Sequence, residues 1–188
     1  MAGMDAGRPD DIFTTICEVG LIDRLFSCLT MKDMFAFAKI NQSMENYVLS
    51  YIRRMKTVDF KRTPVTGLTF DEMNHLSNST RNCRRLFAPF CHQLAPVWHI
   101  NFIRNNKETL RAVDFGGTRL LRESIVTKLF ACKALTHLSI RQCENINCST
   151  IVELANSCPN LQFLDLTECN VQQFNDQGIA NIVAAAPK

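Results

Sequence analysis

Two stretches of the chain, LTHLSIRQCENI from Leu135 and LQFLDLTECNVQ from Leu161, place Leu, Leu, an aliphatic residue and Cys at the same offsets. Nothing else in the sequence constrains the fold as strongly, because self-similarity at a fixed period means stacked copies of one small unit. The aligned positions are Leu135, Leu138, Ile140 and Cys143, then Leu161, Leu164, Leu166 and Cys169. Upstream the same offsets hold Leu110, Val113, Phe115 and Thr118, then Cys83, Leu86, Ala88 and Cys91, and most weakly Met55, Val58 and Phe60. Copies therefore start near 55, 83, 110, 135 and 161, an almost even spacing.

Each copy has a second half with helical spacing, apolar residues recurring at i, i+3 and i+4. Val126, Leu129 and Phe130 are followed by Ile151, Leu154 and Ala155, then by Ile179, Ile182 and Val183; His99, Phe102 and Ile103 fit one copy earlier. Thr69 with Glu72 and Thr150 with Glu153 form the Ser/Thr-x-x-Glu arrangement that satisfies free amides at a helix start, and Pro96 suits a first helical turn. A short strand, a turn and a helix cannot bury their own apolar face, so about three or more units must stack. The expected class is α/β.

The segment CPNLQFLDLTEC, Cys158 to Cys169, resembles the cysteine-containing subtype of leucine-rich repeat, and the copy from Cys132 to Cys143 departs from it little. The resemblance implies a curved, right-handed α/β solenoid of about five repeats over residues 55–188, with parallel strands on the concave face and helices outside. Residues flanking the inward pair on each strand then face a partner. These are Arg85, Phe87, Asp114, His137, Ser139, Arg141, Phe163, Asp165 and Thr167, which we take as the target-binding set. In the last copy nothing downstream covers Leu164, Leu166, Ile179, Ile182 and Val183, which predicts further repeats or self-association at that end.

The nine cysteines follow the same period. Cys91, Cys143 and Cys169 share one repeat position and Cys132 and Cys158 another, so they read as small buried residues at tight turns. No paired C-x-x-C spacing suggests zinc, and no metal or other cofactor is expected. The amino-terminal MAGMDAGRPDD lacks the basic-then-apolar order of a secretory signal, and a cytoplasmic or nuclear location with reduced thiols is expected. No stretch approaches the roughly 18 apolar residues of a membrane span. A net charge of +3 says little, and the basic residues Arg53, Arg54, Lys56, Lys61, Arg62, Arg81, Arg84 and Arg85 are interrupted by Asp59 with no aromatic stacking set beside them. No nucleic-acid partner is expected.

Before the repeats the rhythm changes. Leu21, Ile22, Leu25, Phe26 and Leu29 form a helical stripe; Thr30 with Asp33 makes a capping box that starts a second helix; Met34, Phe35, Phe37, Ala38 and Ile40 continue the stripe; and a third helix runs through Met44, Tyr47, Val48 and Ile52. This stretch, LFSCLTMKDM above all, resembles the F-box family. Cys17 and Glu18 stand where that family has Leu-Pro, and Gly20 where it has Glu. The resemblance divides the chain into a disordered tail (1–15), an F-box-like helical domain (16–54) and the repeats (55–188). It also implies that Leu21, Ile22, Leu25, Phe26, Leu29 and Met34 dock a Skp-type adaptor, and through it a cullin.

No Gly-rich phosphate loop, Gly-x-Ser-x-Gly elbow or His-Glu-x-x-His helix is present. The DFGG at Asp114 lacks every other kinase element. The four histidines, His75, His92, His99 and His137, are scattered among repeat positions and are assigned no catalysis. The expected protein is thus a non-catalytic substrate-recognition subunit of a Skp–cullin–F-box ubiquitin ligase. The alternative is a leucine-rich-repeat scaffold or assembly factor whose helical head only caps the repeats.

Overall fold

The computed structural model describes residues 21–61, 65–119, 121–170 and 174–186. The expected tail, Cys17, Glu18, Gly20 and Arg62 lie outside them. The chain divides into two compact units, Met1–Tyr51 and Ile52–Lys188. The division falls inside the third helix.

In the first unit, α1 (Leu21–Cys28), α2 (Met31–Ala38) and the part of α3 (Gln42–Arg54) up to Tyr51 follow one another closely. Thr30 starts α2 because its side chain accepts from the Asp33 amide at 3.2 Å while Asp33 accepts from both the amide and the hydroxyl of Thr30. Those bonds hold the Asp33 carboxyl below its ordinary range. Asn41 Oδ1 accepts the Met44 amide at 2.9 Å and opens α3 in the same manner. Phe26 lies edge-on to Phe37 and Tyr51, ring centroids 6.1 and 5.3 Å away. Ile22, Met31, Met34, Phe35, Met44 and Val48 are buried.

The second unit is built on five parallel strands, β1 (Thr57–Asp59), β2 (Arg85–Phe87), β3 (Ala112–Asp114), β4 (His137–Ser139) and β5 (Phe163–Asp165), paired strictly in chain order. Register partners Thr57, Arg85, Ala112, His137 and Phe163 advance along the chain in the same near-even steps as the repeat starts read from the sequence. The helices between them are α4 (Phe70–Ser79), α5 (Pro96–Asn106), α6 (Glu123–Val126, continuing as a 3₁₀ turn over Thr127–Ala131) and α7 (Cys148–Ser157), and α8 (Asp176–Ala185) follows β5. Parallel strands this short require such crossovers. The inward row Val58, Leu86, Val113 and Leu138 is at most 2 % exposed, and Phe102, Leu129 and Leu154 on the helical side are fully buried.

The cysteines join neighbouring copies. Cys143 Sγ lies 3.6 Å from the carbonyl oxygens of Phe115 and Thr118, Cys158 Sγ 3.4 Å from that of Leu129, and Cys169 Sγ 3.2 Å from that of Ile140. A thiol is small enough to sit at the turn and still act as a weak donor to the preceding copy. Burial pushes the thiols of Cys132 and Cys143 up to about 12 and those of Cys83 and Cys91 to about 11, and all eight described cysteines are free thiols.

One residue before each shared Cys position the chain turns left-handed, at Phe90, Gln142 and Glu168 (φ 57° each) and at Gly117 (φ 71°). The glycine is needed twice over, since a Cβ there would lie 2.1 Å from the Phe90 ring.

One expected helix start needs correction. Thr69 with Glu72 forms the reciprocal capping box at α4, but Thr150 lies inside α7, whose cap residue is Asn147. Glu123, from the preceding copy, takes over: its Oε1 accepts the Asn147 amide at 2.8 Å and the Thr150 hydroxyl at 2.9 Å. A carboxylate arriving from the neighbouring unit satisfies the helix end, so no partner within α7 is required. No described helix is long and apolar enough to cross a membrane.

Candidate binding groove on the sheet face

The strands of the second unit present three residues each, and register stacks them into rows. The first row is Thr57, Arg85, Ala112, His137 and Phe163; the third is Asp59, Phe87, Asp114, Ser139 and Asp165. Over the first row lies a groove of about 780 Å³ whose lining includes Arg85, Phe87, Asp114, His137, Ser139 and Phe163 from the expected target-binding set. Arg141, Asp165 and Thr167 are not in its lining.

The groove is closed on one side by residues that periodicity does not single out as a set. Lys56, Arg84, Arg111 and Thr136 each stand one residue before a strand and all line it. The available signal is positional: three of these four equivalent sites carry a cation. At the other end of the row, the ring of His137 stacks on that of Phe163, centroids 5.8 Å apart and 26° from parallel, and Phe163 is 51 % exposed.

The third row behaves differently, and Asp114 must be corrected from a partner-facing residue to a buried one, 9 % exposed. Its Oδ1 accepts the Gly116 amide at 2.9 Å and its Oδ2 pairs with Lys61 Nζ at 2.7 Å. Asp59 accepts the Lys61 amide at 2.8 Å and Asp165 the Thr167 amide at 3.0 Å, so the three aspartates serve as turn formers two residues back. Asp165 also accepts the hydroxyls of Thr167 and Ser139, at 2.6 and 3.1 Å, which together keep its carboxyl below the ordinary range. Lys61 additionally sits 5.3 Å above the Phe87 ring, and Arg141 5.9 Å from that of Phe90.

In the first unit the six expected adaptor contacts separate into two groups. Ile22, Phe26 and Met34 are 6, 1 and 2 % exposed, so these three are corrected from surface anchors to core. They point inward because α1 and α2 must bury one apolar stripe each. Leu21 and Leu25 are exposed and Leu29 is half-buried.

Among the described residues no group of three or more His, Cys, Asp or Glu side chains is placed to hold a metal ion. His99 is buried in α5, its Nδ1 3.2 Å from the Ala95 carbonyl oxygen, and burial pushes its pKa down to about 4.

No family model matches the chain. It is 26 % identical over 133 residues to the DNA repair protein rhp7 of Schizosaccharomyces pombe, a match spanning 71 % of this chain and 23 % of that protein. The chain therefore spans about a quarter of the length of the curated relative it matches. Among solved structures, the crystal structure of the Rad7 and Elc1 complex in yeast matches with a TM-score of 0.47 and 20 % identity, covering 58 % of this chain and 29 % of that one.

Proposed function

We propose that the chain is a non-catalytic recognition subunit, its helical head docking a Skp-type adaptor and through it a cullin ubiquitin ligase, its sheet face holding the protein to be modified. In this reading the second unit is a leucine-rich-repeat solenoid and the first an F-box-like domain. The observation that carries it is the groove itself: an open face of about 780 Å³ with exposed cations and aromatics. Activity would come from proximity, since joining ligase and target through one chain raises the local concentration of target lysines. Similarity to a DNA repair protein supports a nuclear location.

The adaptor side rests on Leu21 and Leu25, 49 and 44 % exposed on one helix. Replacing both with aspartate should abolish recovery of adaptor and cullin from cell extract while the melting temperature of the chain stays within a few degrees of wild type. If the unaltered chain recovers neither protein under conditions in which an authentic F-box protein does, the ligase half of the proposal is lost. The burial of Ile22, Phe26 and Met34 favours a second reading, a repeat scaffold without a ligase, and that result would select it.

A further inference from the structure

Lys56, Arg84 and Arg111 occupy one register position before β1, β2 and β3, and Arg85 opens β2. All four are exposed and line the groove. Their backbone is fixed: the Lys56 carbonyl accepts the amides of Arg84 and Arg85, and the Arg84 carbonyl those of Arg111 and Ala112, at 2.8 to 3.1 Å. Neighbouring strands lie about 4.8 Å apart, well inside the ~10 Å over which charges act on each other at moderate salt. Four cations are thus held side by side with mutual repulsion.

Among the described residues none of the four forms an ion pair, whereas Lys61 pairs with Asp114 and Lys107 with Glu108. The Arg85 side chain donates from Nε to the Thr57 hydroxyl, at 3.1 Å. The carboxylates on the same face are engaged elsewhere, Asp114 by Lys61 and the Gly116 amide and Asp165 by Thr167 and Ser139. Positive charge is left uncompensated at one end of the groove and apolar surface, Phe163 on His137, at the other.

We infer that the groove takes an acidic peptide segment of the target, carboxylates against Lys56, Arg84, Arg85 and Arg111 and an apolar side chain against Phe163. This rests on the sheet-face half of the proposed function and adds the chemistry of the target. A nucleic acid fits less well on two counts. The cations stop at β3, since Thr136 and Gln162 fill the equivalent positions before β4 and β5. His137 and Phe163 stack on each other rather than presenting separate platforms for bases.

The 188-residue chain can be titrated into a fluorescein-labelled oligo-glutamate peptide ending in Leu-Phe-Leu, with anisotropy as the readout. The same peptide with lysine for glutamate, and an oligothymidylate of equal length, serve as comparisons. Saturable micromolar binding of the acidic peptide alone is expected. Arg84→Glu with Arg111→Glu should weaken it at least about tenfold, and Lys128→Glu with Arg104→Glu, two exposed sites outside the groove, should leave it unchanged. Phe163→Ala should weaken the peptide ending in Leu-Phe-Leu more than oligo-glutamate alone. Equal losses in both charge-reversal pairs, no saturable binding, or tighter binding of the oligothymidylate through the same arginines would each overturn the inference. Circular dichroism confirms that each variant folds. Leu21→Asp with Leu25→Asp should keep peptide affinity, so a failed groove and a failed adaptor site give different results.

Discussion

Among single residues, His99 shows how burial alone produces pH sensitivity. It is 1 % exposed, its Nε2 has no hydrogen-bond partner among the described residues, and its ring meets Trp98 and Phe115 edge-on. The folded pKa of about 4 lies below the ordinary value near 6.5, so the unfolded chain takes up the proton first. Stability is fully present above about pH 6.5 and is lost as pH falls through about 4, with a ceiling of roughly 3 kcal/mol. Urea midpoints at stepped pH should show this loss, and His99→Gln should flatten the part between those two values. A variant as acid-sensitive as wild type in that window would assign the loss to other groups. The burial of His99 is readable from its place beside Phe102 and Ile103 on a helical stripe. The fate of Asp114 is not, because strand alternation says which face a side chain takes but not whether its own turn and Lys61 will consume it.

Among elements, the strands are legible because a nearly constant repeat period leaves parallel pairing almost no choice of register. The helix starts are legible only where the cap is local. Thr69 and Glu72 satisfy each other within one helical turn, whereas α7 is capped by Glu123 from the preceding copy, a contact that exists only once two copies have stacked. Glu123→Ala should therefore cost about 1 kcal/mol while Glu123→Gln, which still accepts both bonds, retains most of the stability. Equal midpoints for wild type and Glu123→Ala in chemical denaturation would mean that water replaces the carboxylate without loss.

At the scale of the whole molecule, the candidate site is partly legible. Alternation along the strands finds the aromatic and basic residues Arg85, Phe87, His137 and Phe163, but the cations before the strands look scattered in the sequence because their neighbours in space lie a full repeat away along the chain. The sheet also predicts unequal tolerance to truncation. Leu138 is fully buried on β4, while Leu164, its register partner on β5, is only half-buried. Leu138→Ala should cost about 3 kcal/mol and Leu164→Ala less than about 2 kcal/mol. Equal costs in urea titrations would indicate that β5 is packed as tightly as β4.

Strand pairing in strict chain order has a mechanical consequence. A load applied across residues 55 and 186 reaches the outermost pair first, and parting that pair leaves every other pair intact, because no strand is clamped between two that are distant in sequence. The second unit should therefore lengthen as a staircase rather than snap. Each tread is one strand with its crossover, roughly 90 Å of slack when drawn out to full extension, resolvable in an optical trap as successive small extensions on the way out and, on relaxation, as re-zipping from whichever strands remain paired.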